Sequence, residues 1–266
     1  MFITFLSDYG LSDPFVGVCH GVIAQRCPQA RVIDLSHGIP PQDIRTGATV
    51  LARSLPFLPA GVRLAVVDPG VGGARRGVAI QARAGQLFVG PDNGLLWPAV
   101  CAAGGAEAVV DLKGSPCALT PVSATFHGRD VFAPVAAALA DGTPLEQIGT
   151  PVDPTSLVTL TPLRAQVEPE ILRVSVVAVD RFGNLELGAV PADLAAAGLA
   201  GSKELAVQTA GGCLRVRCGR TFSDVPRGEL LLYGDSGGAL SVAVSGGSAA
   251  GRLAVAAGDE LRIAAA

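Results

Sequence analysis

Near residue 150 the chain changes its periodicity, and that change limits what it can fold into. Before it, short apolar runs alternate with amphipathic stretches, the pattern of strands layered against helices. Strands are predicted at Phe2 to Leu6, Arg31 to Asp34, Arg63 to Val67, Val78 to Gln81, Leu87 to Val89 and Ala108 to Val110, and helices at Phe15 to Arg26, Asp43 to Leu55 and Arg129 to Ala140. Pro14 suits the first turn of the first helix, with Asp13 as its cap. Between Gly149 and Glu170 come prolines 151, 154, 162 and 169, a linker composition. From Ile171 onward short β-like runs dominate, at Leu172 to Val179, Glu204 to Thr209, Leu214 to Cys218, Glu229 to Tyr233, Ala239 to Val244 and Glu260 to Ile263; only Ala192 to Ala197 looks helical. The expectation is an α/β, Rossmann-like domain over 1–150, a linker over 151–170, and a smaller β-barrel domain over 171–266.

A hydrophobic fraction of 49% is ample for a core, and a net charge of -3 gives no electrostatic footprint for nucleic acid or an anionic membrane. A small molecule is the expected partner. The six cysteines, at 19, 27, 101, 117, 213 and 218, form no Cys-x-x-Cys pair, so neither a zinc knuckle nor a redox motif is indicated. The start of the chain lacks the basic residues, apolar segment and cleavage site of a secretory signal, and no apolar stretch reaches the length of a membrane span. A cytoplasmic protein with reduced thiols is expected.

Chemistry concentrates in turns next to apolar runs. Asp68-Pro-Gly-Val-Gly-Gly-Ala-Arg75-Arg76 follows the run Val62 to Val67, and a second Gly-containing turn reads Thr125-Phe126-His127-Gly128-Arg129-Asp130. An Asp, an Arg and a His brought together on such turns can bind and deprotonate a water. Asp8, in Ser7-Asp8-Tyr9-Gly10 after the first strand, is either a turn former or a carboxylate that accepts from a ribose diol. Pro91-Asp92-Asn93-Gly94 is a turn signal first and a ligand site second. Gly234-Asp235-Ser236-Gly237-Gly238, with the order His127, Asp180, Ser236, imitates a chymotrypsin-like serine hydrolase; the short tail after Ser236 and the α/β pattern before His127 argue against one.

Four of these motifs, Ser7-Asp8-Tyr9-Gly10, Asp68-Pro-Gly-Val-Gly, Pro91-Asp92-Asn93-Gly94 and Thr125 to Asp130, together with Phe182-Gly183-Asn184, stand in the order and spacing of the S-adenosylmethionine hydroxide adenosyltransferases, which the chain resembles over nearly its whole length. These adenosine-forming hydrolases are related to the fluorinase and chlorinase. The resemblance implies water attack on C5' of S-adenosylmethionine, activated by Asp68, Arg75 and His127, with no metal and no cofactor; the spacing from Asp68 favours Arg75 over Arg76. It further implies that Asp8 binds the ribose hydroxyls, that Phe126 and Phe182 pack near the nucleoside, and that Asn184 and the Val244 backbone meet adenine. Asp180 and Ser236 are the expected holders of the methionine end, although Gly237 stands where the fluorinase has a carboxylate-binding Arg. Gly128 occupies the place of a fluorinase halide-binding Ser, so water is the expected nucleophile and halide-using transfer the lesser alternative. The family also implies a homotrimer, with each site between the N-terminal domain of one subunit and the C-terminal domain of its neighbour. A nucleoside-binding protein without catalysis is the competing reading.

Overall fold

Strands that carry apolar residues on both faces need cover on both sides, and the first half of the chain supplies it with helices. The computed structural model describes residues 1–266, in two compact units, Met1–Leu160 and Thr161–Ala266. In the first unit the order is β1 (Phe2–Ser7), α1 (Phe15–Arg26), β2 (Arg31–Ser36), α2 (Ile44–Ser54), β3 (Gly61–Val66), β4 (Gly77–Ala82), β5 (Leu87–Pro91), α3 (Trp97–Ala102), β6 (Ala106–Asp111), α4 (Ala133–Ala140) and β7 (Thr150–Val152). These strands make one sheet in the order β2-β1-β3-β5-β4-β6-β7. The first four are parallel, whereas β4 runs antiparallel to β5 and β6, and β7 antiparallel to β6.

Alternation along the strands sends Ile3, Phe5, Val62 and Leu64 to one face, where they pack with Val16, Cys19 and Ile23 of α1 and with α4. Leu6, Ala65, Val78 and Ile80 point to the other, against Ala48 and Leu51 of α2 and Ala99 and Val100 of α3. The result is a three-layer α/β unit. After β1 the chain moves to β2 on one side, and after β2 it returns to β3 on the other, so the order reverses between β1 and β3. In open α/β sheets the crevice beyond the carboxyl ends of the strands at such a switch point is where ligands bind. Asp8 follows β1 and Asp68 lies two residues past β3.

The second unit contains β8 (Gln166–Glu168), β9 (Ile171–Val179), β10 (Leu185–Leu187), α5 (Pro191–Ala196), β11 (Glu204–Thr209), β12 (Gly212–Cys218), β13 (Leu230–Gly234), β14 (Leu240–Val244), α6 (Ala249–Leu253) and β15 (Glu260–Ala265). The order β10-β14-β13-β12-β11-β15-β9 closes through a β9–β10 pairing into a seven-stranded barrel, with β8 added to β9. Leu172, Val176, Leu205, Val216, Leu232, Val242 and Ile263 fill its interior. Closure leaves most strands without an open edge.

Some local expectations change. Pro14 is the N-cap of α1 rather than its first residue, and no side chain caps that end, so Asp13 does not play the role its chemistry fits. The predicted helix from Arg129 begins instead as a π-helical turn over Gly128–Phe132 and becomes α-helical at Ala133. Helices α3 and α6 and strand β10 form where the apolar pattern marks no element. Within the Pro- and Thr-rich stretch 151–170, β7 pairs with β6 and β8 with β9. All six cysteines are free, and no helix is long and apolar enough to cross a membrane.

Candidate active site

The turn after β3 folds back on itself. Val71 N–H donates to the Asp68 carbonyl at 3.2 Å and Gly73 N–H to that of Gly70 at 3.0 Å, which returns Arg75 to Asp68. Gly72 has φ +74°, and a Cβ there would collide with the Ala124 carbonyl; only glycine lets this turn press against the segment that carries His127. Beneath it, Asn93 Nδ2 donates to the Val67 carbonyl at 2.9 Å, so Pro91-Asp92-Asn93-Gly94 acts as a brace for the Asp68 turn.

Three side chains converge. Arg75 Nε donates to Asp68 Oδ1 at 2.8 Å, its Nη2 donates to Asp68 Oδ2, and the same Nη2 lies 2.9 Å from His127 Nδ1. The Asp68 and Arg75 side chains are only 6% and 11% exposed. Bidentate geometry at low exposure is the strong form of this ion pair. Phe132 floors the group, with the Arg75 guanidinium 5.3 Å from its ring centre and the His127 ring edge-on at 6.5 Å. Arg76 points elsewhere: its Nε donates to Asp92 at 3.0 Å and its Nη2 to the Ser156 carbonyl at 2.6 Å. The choice of Arg75 over Arg76 thus has a geometric basis.

Because Arg75 can only donate, His127 Nδ1 accepts, and a neutral ring carries its proton on Nε2. Burial lowers the His127 pKa from its ordinary value, and the Arg75 charge lowers it further, against the opposing pull of Asp68 and Asp130. His127 is therefore neutral at neutral pH. The consequence is an acid limb in kcat/KM centred below the ordinary imidazole value of about 6.5, with activity constant as pH rises through 7. A pH profile checks this; a limb centred above 7 contradicts it. A cavity of about 590 Å³, lined in part by Arg75, Gly77, Lys113, Leu119, His127 and Val131, reaches this cluster.

Beside the cluster sits an aromatic group that sequence reasoning passed over. Tyr9, noted only as part of a turn motif, stacks edge-on with Phe126 at 5.7 Å and lies 5.8 Å from Phe15. Burial above all, then the neighbouring Cys19 and the carboxylates of Asp8 and Asp68, push its phenol far above the usual range, against the opposing pull of Arg75. Tyr9 thus stays neutral within electrostatic reach of Asp8 and Asp68. Its position requires Gly128, where a Cβ would collide with Tyr9 Oη. Arg129 lies over the Phe126 ring at 5.1 Å and pairs with the buried Asp130, which also accepts from Ser123 N–H at 2.8 Å. Asp8 accepts from Gln42 N–H at 2.9 Å through Oδ2.

The remaining candidates belong to the barrel unit. Asp180, Phe182 and Asn184 form the turn from β9 to β10, where Asp180 accepts from Phe182 N–H, Asn184 N–H and Asn184 Nδ2 at 2.9, 2.9 and 2.7 Å. With three of about four acceptor positions used, its carboxylate keeps one. Phe182 is 69% exposed. Leu185 pairs with Val242, so Asn184 stands near the Val244 end of β14, whose side chain is buried in the barrel. Ser236 is exposed in the loop at the other end of β14, held by Asp235, which accepts from Gly237 and Ala239 N–H and Ser241 Oγ. The serine-hydrolase alternative loses its base and its acid: His127 Nδ1 faces Arg75, and Asp180 closes its own turn.

An Asp–Arg–His cluster at the switch point of a three-layer α/β unit, followed by a closed barrel, defines a two-unit protein with the means to activate water. The model of the SAM hydroxide adenosyltransferase N-terminal domain matches residues 3–149, and that of the C-terminal domain residues 174–262; the chain belongs to this family. It is 51% identical over 261 residues to the (R)-S-adenosyl-L-methionine hydrolase of Salinispora arenicola, with 98% of this chain and 97% of the relative covered. The protein of the same name from Thermus thermophilus is 44% identical over 268 residues, with 98% of each covered. A crystal structure of an uncharacterized conserved protein from Thermotoga maritima superposes with a TM-score of 0.90 at 36% identity, over 98% of this chain and 99% of that one.

Proposed function

We propose that this protein hydrolyses S-adenosylmethionine to adenosine and methionine. The observation that carries the reading is the single Arg75 Nη2 shared between Asp68 and His127, which holds a carboxylate and a neutral imidazole on either side of one guanidinium. Water placed there donates a proton to Asp68 and accepts from His127 Nε2–H, so its oxygen lone pair is turned outward. As the C5'–O bond forms, the C5'–S bond breaks and its electron pair stays on sulfur, releasing methionine as a neutral thioether. The sulfonium already activates the carbon, and the leaving group needs no proton. The work left to the protein is positioning and proton acceptance, which needs neither metal nor cofactor.

In this reading Asp8 takes the ribose hydroxyls, Phe126 and Phe182 flank the nucleoside, Asn184 and the Val244 backbone read adenine, and Asp180 and Ser236 hold the methionine amine and carboxylate. The chain works as a cytoplasmic homotrimer on a small molecule, without nucleic acid or membrane, and its sites are shared between subunits. The relatives' names specify the (R) sulfonium, and this chain is assigned the same epimer. Incubation with S-adenosylmethionine, followed by chromatography, should give adenosine and methionine in equal amounts, without a 5'-halogenated product when chloride or fluoride is added. Bound substrate that is never converted would instead identify a nucleoside-binding protein.

A further inference from the structure

We propose that His20, Asp34 and His37 form a binding site for one divalent transition-metal ion of the zinc class, separate from the Asp68 cluster. Helix α1 brings His20 over β2, which carries Asp34, and His37 follows directly after β2. His20 Nε2 lies 2.8 Å and His37 Nε2 3.0 Å from the same Asp34 oxygen, and one ligand atom from each residue falls within 4.8 Å of the other two. Two imidazoles and a carboxylate are a donor set that zinc favours. Around a tetrahedral zinc with bonds of about 2.0–2.1 Å, ligand atoms stand about 3.4 Å apart, so the Asp34 oxygen has to draw back from each imidazole nitrogen by about half an ångström.

A second observation points to a ligand. The His37 side chain is 3% exposed, and its Nε2, aimed at this cluster, meets only the Asp34 carboxylate, at 3.0 Å and without forming a well-made hydrogen bond. Buried nitrogens of this kind are rarely left so. Its Nδ1 lies 2.7 Å from Ser7 Oγ, the outer hydrogen bond that fixes a metal-bound imidazole. His20 and Asp34, 34% and 44% exposed, leave the opposite side open to an incoming ion and to a water as fourth ligand. The ion sits where it can act on the loop that bears Asp8: Ser7 Oγ accepts from Tyr9 N–H at 3.3 Å, and the His37 carbonyl accepts from Gly10 N–H at 2.8 Å. Its role is to stiffen that loop, at a distance from the reacting carbon.

The chain has three histidines, which makes the test clean. Chelator-treated protein is titrated with Zn²⁺ by calorimetry, and with Co²⁺ while visible absorption is followed. One ion per chain is expected, with affinity reduced at least about 100-fold in His20→Ala and in Asp34→Asn. Both positions are partly exposed, so circular dichroism should match the unaltered protein. His127→Ala should leave the isotherm unchanged. Absence of zinc binding, or binding that survives His20→Ala and Asp34→Asn, overturns the proposal and shows two histidines merely sharing a carboxylate.

Discussion

Asp68→Asn should lower kcat by about 10²–10⁴-fold while the dissociation constant for S-adenosylmethionine changes by no more than about fivefold, a fraction of what a lost charged hydrogen bond to substrate would cost. The amide keeps the shape of the side chain but can accept from Arg75 through one oxygen only. The second of the two guanidinium hydrogen bonds is then lost in a place where both partners are nearly buried. The proton acceptor also disappears, since a neutral amide cannot take a proton from water. His127 cannot replace it, because its Nδ1 is turned to Arg75 and its lowered pKa makes it a weak base. Rapid-quench turnover and equilibrium binding separate the two effects. Turnover within about threefold of the unaltered protein, too little for general-base catalysis, removes Asp68 from the mechanism.

Gly128→Ala should damage both stability and turnover, because the methyl group it adds meets a side chain beside the catalytic cluster. The added Cβ would overlap Tyr9 Oη and stand 3.1 Å from Cζ, against a phenol already enclosed by Phe126 and Phe15. Either the tyrosine swings out or the π-helical turn that begins at Gly128 moves, and His127 is the residue directly before that turn. Overpacking of this kind costs about 1–3 kcal/mol, and a displaced His127 lowers turnover at least tenfold, as misplacement by about 1 Å does elsewhere. Tyr9→Phe removes the atom that collides, so the double variant should regain a large part of both losses. Denaturant unfolding and turnover measured over the four proteins give the coupling directly. Strictly additive losses would mean that the two residues do not meet.

The same residues show why some of this was legible in the sequence and some was not. Strand and helix positions in the first unit follow from apolar periodicity, and α1 has the limits its pattern implies because Pro14 and Cys27 bound it. Helices α3 and α6 and strand β10 span only six, five and three residues, too few for periodicity to speak. Asp68, Arg75 and His127 were readable because glycine-rich turns and charged residues are rare in combination, and family resemblance ordered them. The Arg75 and Arg76 side chains diverge within one residue, and spacing could favour one without showing that Asp92 engages the other. Tyr9 was hidden inside a turn motif, since only the fold brings Gly128 against its hydroxyl. The grouping of His20, Asp34 and His37 depends on how α1 lies across the β1–β2 pair, which no local pattern encodes.

Single turnover in ¹⁸O-enriched water, with excess protein over S-adenosylmethionine, tests the central claim most directly. Direct attack by a water held at Asp68 and His127 predicts that the 5'-oxygen of the adenosine released in the first turnover carries the label. Unlabelled adenosine, with ¹⁸O found instead in the Asp68 carboxylate, would show that the carboxylate itself attacks the carbon and would contradict the account.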